Sequence, residues 1–490
     1  MRIPFTSWVF LIPICSIFLS FCIFVVAGQC LDSQRSLLLQ LKNNLTFNTA
    51  MSKKLVRWNQ SADCCSWEGV NCSEGSVIGL DLTNEAISGG RDNLSSLFNL
   101  QNLQNLSLAH NNFNGSQIPS EFEKMTNLSY LNLSNAGFAG QIPIEISRLT
   151  RLVSLDLSAV YFPDTTTLKL ENSSLNVLVQ NLTIDGNIPN WLGELRNLMY
   201  LNLSFNRLVT LERPFSNLSF LNVLDLSSNQ LQGQLPVLPE SATYLDFSRN
   251  NFSSVIPASI GDSLTFAYLL SLSSNKLSGS IPESICNAAY LQVLDLSNNF
   301  LGEKIPQCLT KMSVTLGVLN LRRNRLTGSI PDSFQVNCSL QTLDFNGNQI
   351  EGRLPKSLAY CTKLEVLNIG YNLIKDVFPC YLKNASMLRV LVLRSNNFGG
   401  SVSCSESNAT WPMLQIVDVA SNNFTGKLSK ISEWKAMMDD ENGAQSELNH
   451  LQYLQYEFLS FNQFYYQDTI TVTLKGLDVD YTHLDQQNGG

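Results

Sequence analysis

"LQVLDLSNNFLGEKIP" (291–306), "LGVLNLRRNRLTGSIP" (316–331) and "LQTLDFNGNQIEGRLP" (340–355) are three copies of one template. Its form is L-x-x-L-x-L-x-x-N-x-L-x-G-x-I-P, repeated about every 24 residues. The central L-x-L has period two, which predicts a short strand with both leucines inward and the intervening residues outward. One such turn of chain cannot bury its apolar face alone. Neighbouring turns therefore stack, and their strands form a long parallel sheet. The Asn recurs at Asn206, Asn229, Asn250, Asn275, Asn299, Asn324, Asn348, Asn372, Asn396 and Asn422. Asn111 holds the slot in an earlier unit, Ala136 and Val160 fill it in two others, and Glu85 fills it in the first. A buried Asn both donates and accepts, so it can satisfy turn amides and carbonyls of adjacent coils. The Gly after it, at Gly115, Gly140, Gly233, Gly279, Gly328, Gly352, Gly400 and Gly426, allows a tight bend. The Ile-Pro that follows supplies an apolar knob and a fixed φ. The fold class is an α/β repeat solenoid of about 15 units over 76–429. The phase slips once, between Val160 and Asn206, where "NVLVQNLTIDGNIP" (176–189) puts Leu182 in the Asn slot and reads as a degenerate coil.

The chain has 490 residues, 44% apolar and 15% charged, with a net charge of −8. A negative balance disfavours nucleic acid as a partner, because phosphate recognition wants a basic surface. At the start, Met1-Arg2 leads into an apolar run from Trp8 to Val26, closed by the small residues Ala27-Gly28. This reads as an export signal over 1–28. No later stretch reaches the roughly 18 apolar residues of a transmembrane helix, so the expected mature chain is extracellular and carries no such helix. Asn-x-Ser/Thr sequons fit that route. They lie at Asn44, Asn59, Asn71, Asn93, Asn105, Asn114, Asn127, Asn132, Asn172, Asn181, Asn202, Asn217, Asn251, Asn337, Asn384, Asn408 and Asn423.

Residues 29–75 read as a separate cap that covers the exposed apolar end of the first coil. Asp32 or Ser33 is placed to cap a helix with Leu37, Leu38 and Leu41 on its apolar side. So short a module is naturally stapled, and "DCCSWEGVNC" (63–72) predicts Cys30–Cys64 and Cys65–Cys72. Zinc is the alternative for these four cysteines, disfavoured in an exported chain. The other mature cysteines fall in pairs about one repeat apart: Cys286/Cys308, Cys338/Cys361 and Cys380/Cys404. Disulfides between adjacent coils are expected, each closing a loop of about 23 residues worth roughly 3 kcal/mol in the chain-entropy model. After Lys430 the template dissolves. Residues 430–480 read as a non-repeat insertion, acidic at Asp439-Asp440-Glu441 and closing in one strand, Thr469–Leu474. Residues 481–490 are expected to be disordered.

Together, the signal, the "CCSWEGVNC" cap and the repeat resemble the plant extracellular leucine-rich repeat proteins. "WKAMM" (434–438) followed by "YYQDTITVTLKGLDVD" (465–480) resembles the island of plant receptor-like proteins, particularly those similar to the Verticillium wilt resistance receptors. The resemblance implies a leucine-rich repeat solenoid of the plant extracellular type with a disulfide-stapled cap. It also implies a cell-surface immune receptor without a kinase domain. Such a receptor binds a proteinaceous, microbial or cell-wall-derived ligand and signals through a partner receptor kinase. Further repeats, an acidic stretch, a transmembrane helix and a cytosolic tail follow the island in that family, so this chain reads as ending before them.

Tyr161, Tyr200, Phe205, Arg249, Arg322, Arg323, Tyr371 and Arg394 are expected on outward strand positions of a concave sheet. Aromatic and Arg residues are the usual interface anchors. The alternative function is a secreted inhibitor of a microbial cell-wall-degrading enzyme, similar to the polygalacturonase-inhibiting proteins. Catalysis is not expected. His110, His450 and His483 are the only histidines, and no H-E-x-x-H, phosphate-binding loop or kinase signature occurs. No cofactor is implied.

Overall fold

The computed structural model describes residues 29–89, 94–159, 185–188, 190–211, 215, 217–402, 404 and 411–426, together with four short backbone strands beyond 450. The leader, Tyr161, most of the degenerate unit 176–189, the sequons Asn93, Asn172, Asn181 and Asn408, "WKAMM" and the last nine residues lie outside the described residues. The chain forms two compact units, the first ending at Val160 apart from a short later segment, the second running essentially from Ile184 onward.

In the first unit the helix Asp32–Asn44 packs Leu38 and Leu41 inward, both fully buried. Its N-cap is Leu31, which offers no side-chain acceptor, so neither Asp32 nor Ser33 caps it. Asp32 instead occupies the first turn, where a carboxylate favours the helix dipole. Cys30–Cys64 and Cys65–Cys72 are disulfides, and Trp58 stacks on Trp67 with centroids 5.1 Å apart. Val70–Ser73 pairs antiparallel with Ser76–Asp81. From there the sheet runs parallel through Asn105–Ser107, Tyr130–Asn132 and Ser154–Asp156.

Glu85 explains why the first repeat lacks its Asn. It is 1% exposed. Its carboxylate accepts from Ser52 Oγ at 2.5 Å, from the Lys54 N–H at 3.0 Å and from the Leu55 N–H at 3.1 Å. The longer acidic side chain thus reaches out of the first coil and binds the backbone of the cap.

In the second unit the parallel sheet runs from Tyr200–Asn202 to Ile416–Asp418 in unbroken register, leucine beside leucine: Leu201, Leu224, Leu245, Leu270, Leu294, Leu319, Leu343, Leu367 and Leu391. All nine are fully buried. The Asn slot works the same way in each coil. Asn324 donates to Leu321 O at 3.1 Å in its own turn and to Leu296 O at 3.0 Å in the coil before, and its Oδ1 accepts from the Leu301 N–H at 3.0 Å. Most of the return path is 3₁₀ helix, as at Glu283–Asn287 and Lys356–Tyr360, because the fixed φ of Pro starts a tight turn.

A second set of short parallel pairs, such as Gln232–Gly233 with Asn251–Phe252 and Thr327–Gly328 with Gln349–Ile350, lies beyond the Asn. The repeat template by itself does not predict it. The Gly there has a further reason: at Gly279, φ +78, an added Cβ would also meet Val255 at 2.9 Å. Cys286–Cys308, Cys338–Cys361 and Cys380–Cys404 each join neighbouring coils.

Beyond the repeats the backbone corrects the single expected strand. Ile470–Leu474 pairs antiparallel with Leu477–Tyr481, and Leu454–Gln455 with Tyr465–Tyr466. The alternation in "ITVTL" and "LDVDY" suits two facing strands. Tyr481, placed in the expected disordered tail, ends the second strand.

Candidate functional site

The outward face of the second unit's sheet is built from three residue rows, each one residue deep per coil. The first row is apolar. It includes Tyr200, Val223, Tyr244, Leu269, Val293, Val318, Val366 and Val390, with Thr342 as the polar member of the central stretch. Strands about 4.8 Å apart bring these side chains into mutual contact. Leu269, Val293 and Val318 form one buried cluster with Tyr244 against it, and Val366, Val390 and Val392 form another. The row is therefore a packed stripe that neighbouring coils already cover.

The second row is mostly acidic and amidic, with Asn202, Asp225, Asp246, Asp295, Asn320, Asp344, Asn368 and Asp418 interrupted by Ser271 and Val392. These side chains are occupied. Each Oδ1 accepts from the backbone N–H two residues on, at 2.9 Å for Asp225 and Asp295, 2.8 Å for Asp246 and 3.2 Å for Asn320. This bond ends the strand, an Asx turn repeated coil after coil. Burial raises the Asp246 carboxyl above the ordinary carboxylate range, and the Ser248 hydrogen bonds only partly offset it.

The third row, expected on the strands, lies just beyond them. Phe205, Arg249, Arg323 and Tyr371 stand immediately before the key Asn, with φ of 56°, 53°, 51° and 54°. They sit in the left-handed turn that follows each strand. Ser228, Ser274, Asn298 and Ser395 occupy the same position with φ of 53° to 55°. Non-glycine residues rarely adopt this region, and here the sheet pays the strain back through bonding. The Arg249 N–H donates to Ser273 O at 2.8 Å and the Tyr371 N–H to Arg394 O at 2.7 Å, so each left-handed residue extends the ladder into the next coil. The conformation also turns the following Asn into the core. The sequence carries little signal for it, since the position accepts Phe, Arg, Tyr, Ser and Gly alike.

The expected site residues therefore divide. Arg249, Arg323 and Tyr371 are exposed and Phe205 is half-buried, all on the turn row. Tyr200 is on a strand but only 8% exposed, and Arg322 is only 6% exposed. Both are packed by neighbours in the sheet, which corrects their expected role as open outward anchors. Arg394, half-buried, donates from Nε to the Tyr371 hydroxyl at 3.1 Å and pairs with Asp418 at 3.3 Å. Burial works against its charge, but the Tyr371 hydroxyl and the Asp418 carboxylate outweigh it and hold the guanidinium above its ordinary range. Tyr371, Arg394 and Asp418 form one polar cluster over three adjacent coils. Cys30, Asp63, Cys64 and Cys65 lie close enough together to ligate a metal, but both cysteine pairs there are consumed in disulfides. Among the described residues, no helix is long and apolar enough to cross a membrane.

Residues 31–73 match the leucine rich repeat N-terminal domain, and leucine-rich repeat families match 102–125, 220–263, 268–288, 290–312, 315–337 and 338–384. Receptor-like protein 47 of Arabidopsis thaliana is 36% identical over 393 residues, covering 77% of this chain and 44% of that protein. Receptor like protein 24 of the same plant is 43% identical over 332 residues, covering 65% and 34%. Receptor-like protein Cf-9 of Solanum pimpinellifolium is 40% identical over 110 residues, covering 19% and 13%. The chain thus spans less than half the length of these curated relatives. Among solved structures, plant peptide hormone receptor RGFR1 in complex with RGF2 superposes with a TM-score of 0.57 at 30% identity, over 74% of this chain and 57% of that one. The leucine-rich repeat ectodomain of the Arabidopsis receptor kinase HAESA, in complex with a peptide hormone ligand, gives 0.56 at 26% identity, over 82% and 71%.

Proposed function

We propose, for a chain that belongs to the plant leucine-rich repeat receptor-like proteins, that the second unit's strand face recognises an extracellular ligand, proteinaceous or cell-wall-derived. The ligand signals microbial attack, and a partner receptor kinase carries the signal inward. The observation behind this reading is the turn row, where Arg249, Arg323 and Tyr371 project from a packed sheet and the Tyr371 hydroxyl meets the Arg394–Asp418 pair. Rigid aromatic and guanidinium groups on a preformed surface are what a binding face needs, since little ordering is lost on association. Solved relatives of the same fold hold peptide hormones, which supports a proteinaceous ligand.

The test is capture. The immobilised chain is exposed to fractions of fungal secreted protein and cell-wall hydrolysate, alongside the R323A/Y371A/R394A variant. Retention by the natural chain and loss by the variant is the expected result. Equal retention removes this row from the site. Selective retention of polygalacturonase would instead favour the inhibitor reading. Arg322 is not a useful probe, because truncating a side chain that is 6% exposed disturbs packing first.

A further inference from the structure

We infer that Asn105 carries an N-linked glycan whose first sugar lies on the strand face of the first unit, in the pocket beside it, closing that stretch of face to ligand. The last clause rests on the ligand-recognition reading above. The modification does not.

The row that is apolar and packed in the second unit is different in the first. Across the sheet it reads Asn71, Gly79, Asn105, Tyr130, each directly registered with the next. Gly79 leaves a gap between Asn71 and Asn105. Together with Asp81, Ser107 and Asn132 from the next row, these residues line a pocket of about 460 Å³. That is within the range of small-ligand sites, and its hydroxyl, amide and carboxylate lining matches a sugar's hydroxyls. The half-buried Tyr130 ring offers an apolar plane for a sugar's C–H face.

Four sequons lie on strand-face positions, at Asn71, Asn105, Asn132 and Asn202, and the structure divides them. Asn132 is half-buried; its Nδ2 donates to the Tyr130 hydroxyl at 3.2 Å and its Oδ1 accepts from the Ser134 N–H at 2.8 Å. Asn202 repeats both contacts with Tyr200 and Ser204. Asn71 and Asn105 are exposed, and neither side-chain amide makes such a contact; Asn71 stands on the antiparallel strand at the sheet's end, whereas the residue registered directly beside Tyr130 is Asn105. It therefore presents a free Nδ2 at the mouth of the pocket. From Val223 to Asp418 no strand-face residue of the second unit is a sequon Asn. The Asn105 sugar and the proposed recognition face thus fall on different units.

The transfer needs a lipid-diphosphate-linked oligosaccharide donor. The sugar C1–O bond breaks and the C1–Nδ2 bond forms. The diphosphate leaves with the bonding electron pair, one amide proton passes to base, and nothing is oxidised or reduced.

The full chain secreted from plant cells, with N105Q and S107A as two independent ways of removing the sequon and S107T as the variant that keeps it, tests this. Glycopeptide mapping is expected to show Asn105 occupied in the natural chain and in S107T. Hydroxyl-radical footprinting of Tyr130 is expected to rise several-fold in N105Q and S107A, with Tyr244 on the second unit unchanged. An unmodified Asn105, or equal Tyr130 labelling with and without the sequon, overturns the inference. Neither outcome bears on ligand capture by the turn row, so the two readings fail separately.

Discussion

Replacing Asn299 with Asp changes one NH₂ to one oxygen and leaves size and shape alone. In the native coil, Nδ2 donates to Leu272 O at 3.0 Å, Leu296 O at 3.2 Å and Ser297 O at 3.1 Å, while Oδ1 accepts from the Leu277 N–H at 2.9 Å. N299D keeps the acceptor but aims a carboxylate oxygen at three carbonyl oxygens, with 5% of the residue exposed to water. The folded protein then prefers the protonated acid. Holding a carboxyl of unfolded pKa about 3.9 as the acid at pH 7 costs about 1.36 kcal/mol per pH unit, or about 4 kcal/mol. Loss of one of the two donated hydrogens adds about 1 kcal/mol. The expected loss is therefore about 5 kcal/mol at pH 7. The folded-state pKa is raised, so the native state binds more protons than the unfolded state between the two values, and stability falls as pH rises. Acidification to about pH 4 should accordingly recover most of the loss, leaving about 1 kcal/mol. Urea unfolding of the secreted chain across that pH range measures both numbers. N298G, one residue earlier at φ 53°, is the control and should change stability by under about 1 kcal/mol. A pH-independent loss in N299D, or a loss no larger than the control's, would refute the account of the Asn slot.

Three further outcomes are expected. Glu85→Ala leaves the Ser52 hydroxyl and the Lys54 and Leu55 amides without their acceptor. It should loosen the cap by about 3 kcal/mol or more, read as faster hydrogen exchange at those two amides; unchanged protection would show that the carboxylate is not what ties cap to coil. Gly261→Ala would place Cβ 1.7 Å from Ser284 O in the adjacent return helix. That overlap involves backbone, so the loss should reach or exceed the upper end of the about 1–3 kcal/mol typical of overpacking, and a Tm within a degree of the natural protein's would contradict it. Asp246→Asn keeps the acceptor for Ser248, as Asn202 and Asn320 do in their own coils. Because burial raises the native Asp246 pKa, the natural chain loses stability as pH climbs above the unfolded carboxyl value of about 3.9. D246N should therefore match it in acid and exceed it at neutrality; parallel Tm–pH curves would argue against a raised pKa.

How much was legible beforehand follows from which residues are constrained locally. The inward leucines and the Asn slot declare themselves, because each must fill the same buried environment in every coil. Glu85 was visible as an exception in that slot, but not its purpose, since Ser52, Lys54 and Leu55 lie some thirty residues away. The turn row was misassigned because a left-handed φ is imposed by the ladder into the next coil and not by the residue itself. Tyr200 and Arg322 read as open anchors in the sequence because period two tells outward from inward, and outward is not the same as exposed. Between Leu269, Val293 and Val318, it is the neighbour in the stack that excludes water.

The sequence by itself determined the repeat, its register, the direction of every core leucine and the family, because periodic burial leaves a periodic signature. The tertiary structure alone decided which outward residues meet solvent, which acidic side chains are spent ending strands, and which strand-face sequons keep a free amide. Those properties belong to pairs of coils in contact, and no single coil's sequence contains its neighbour.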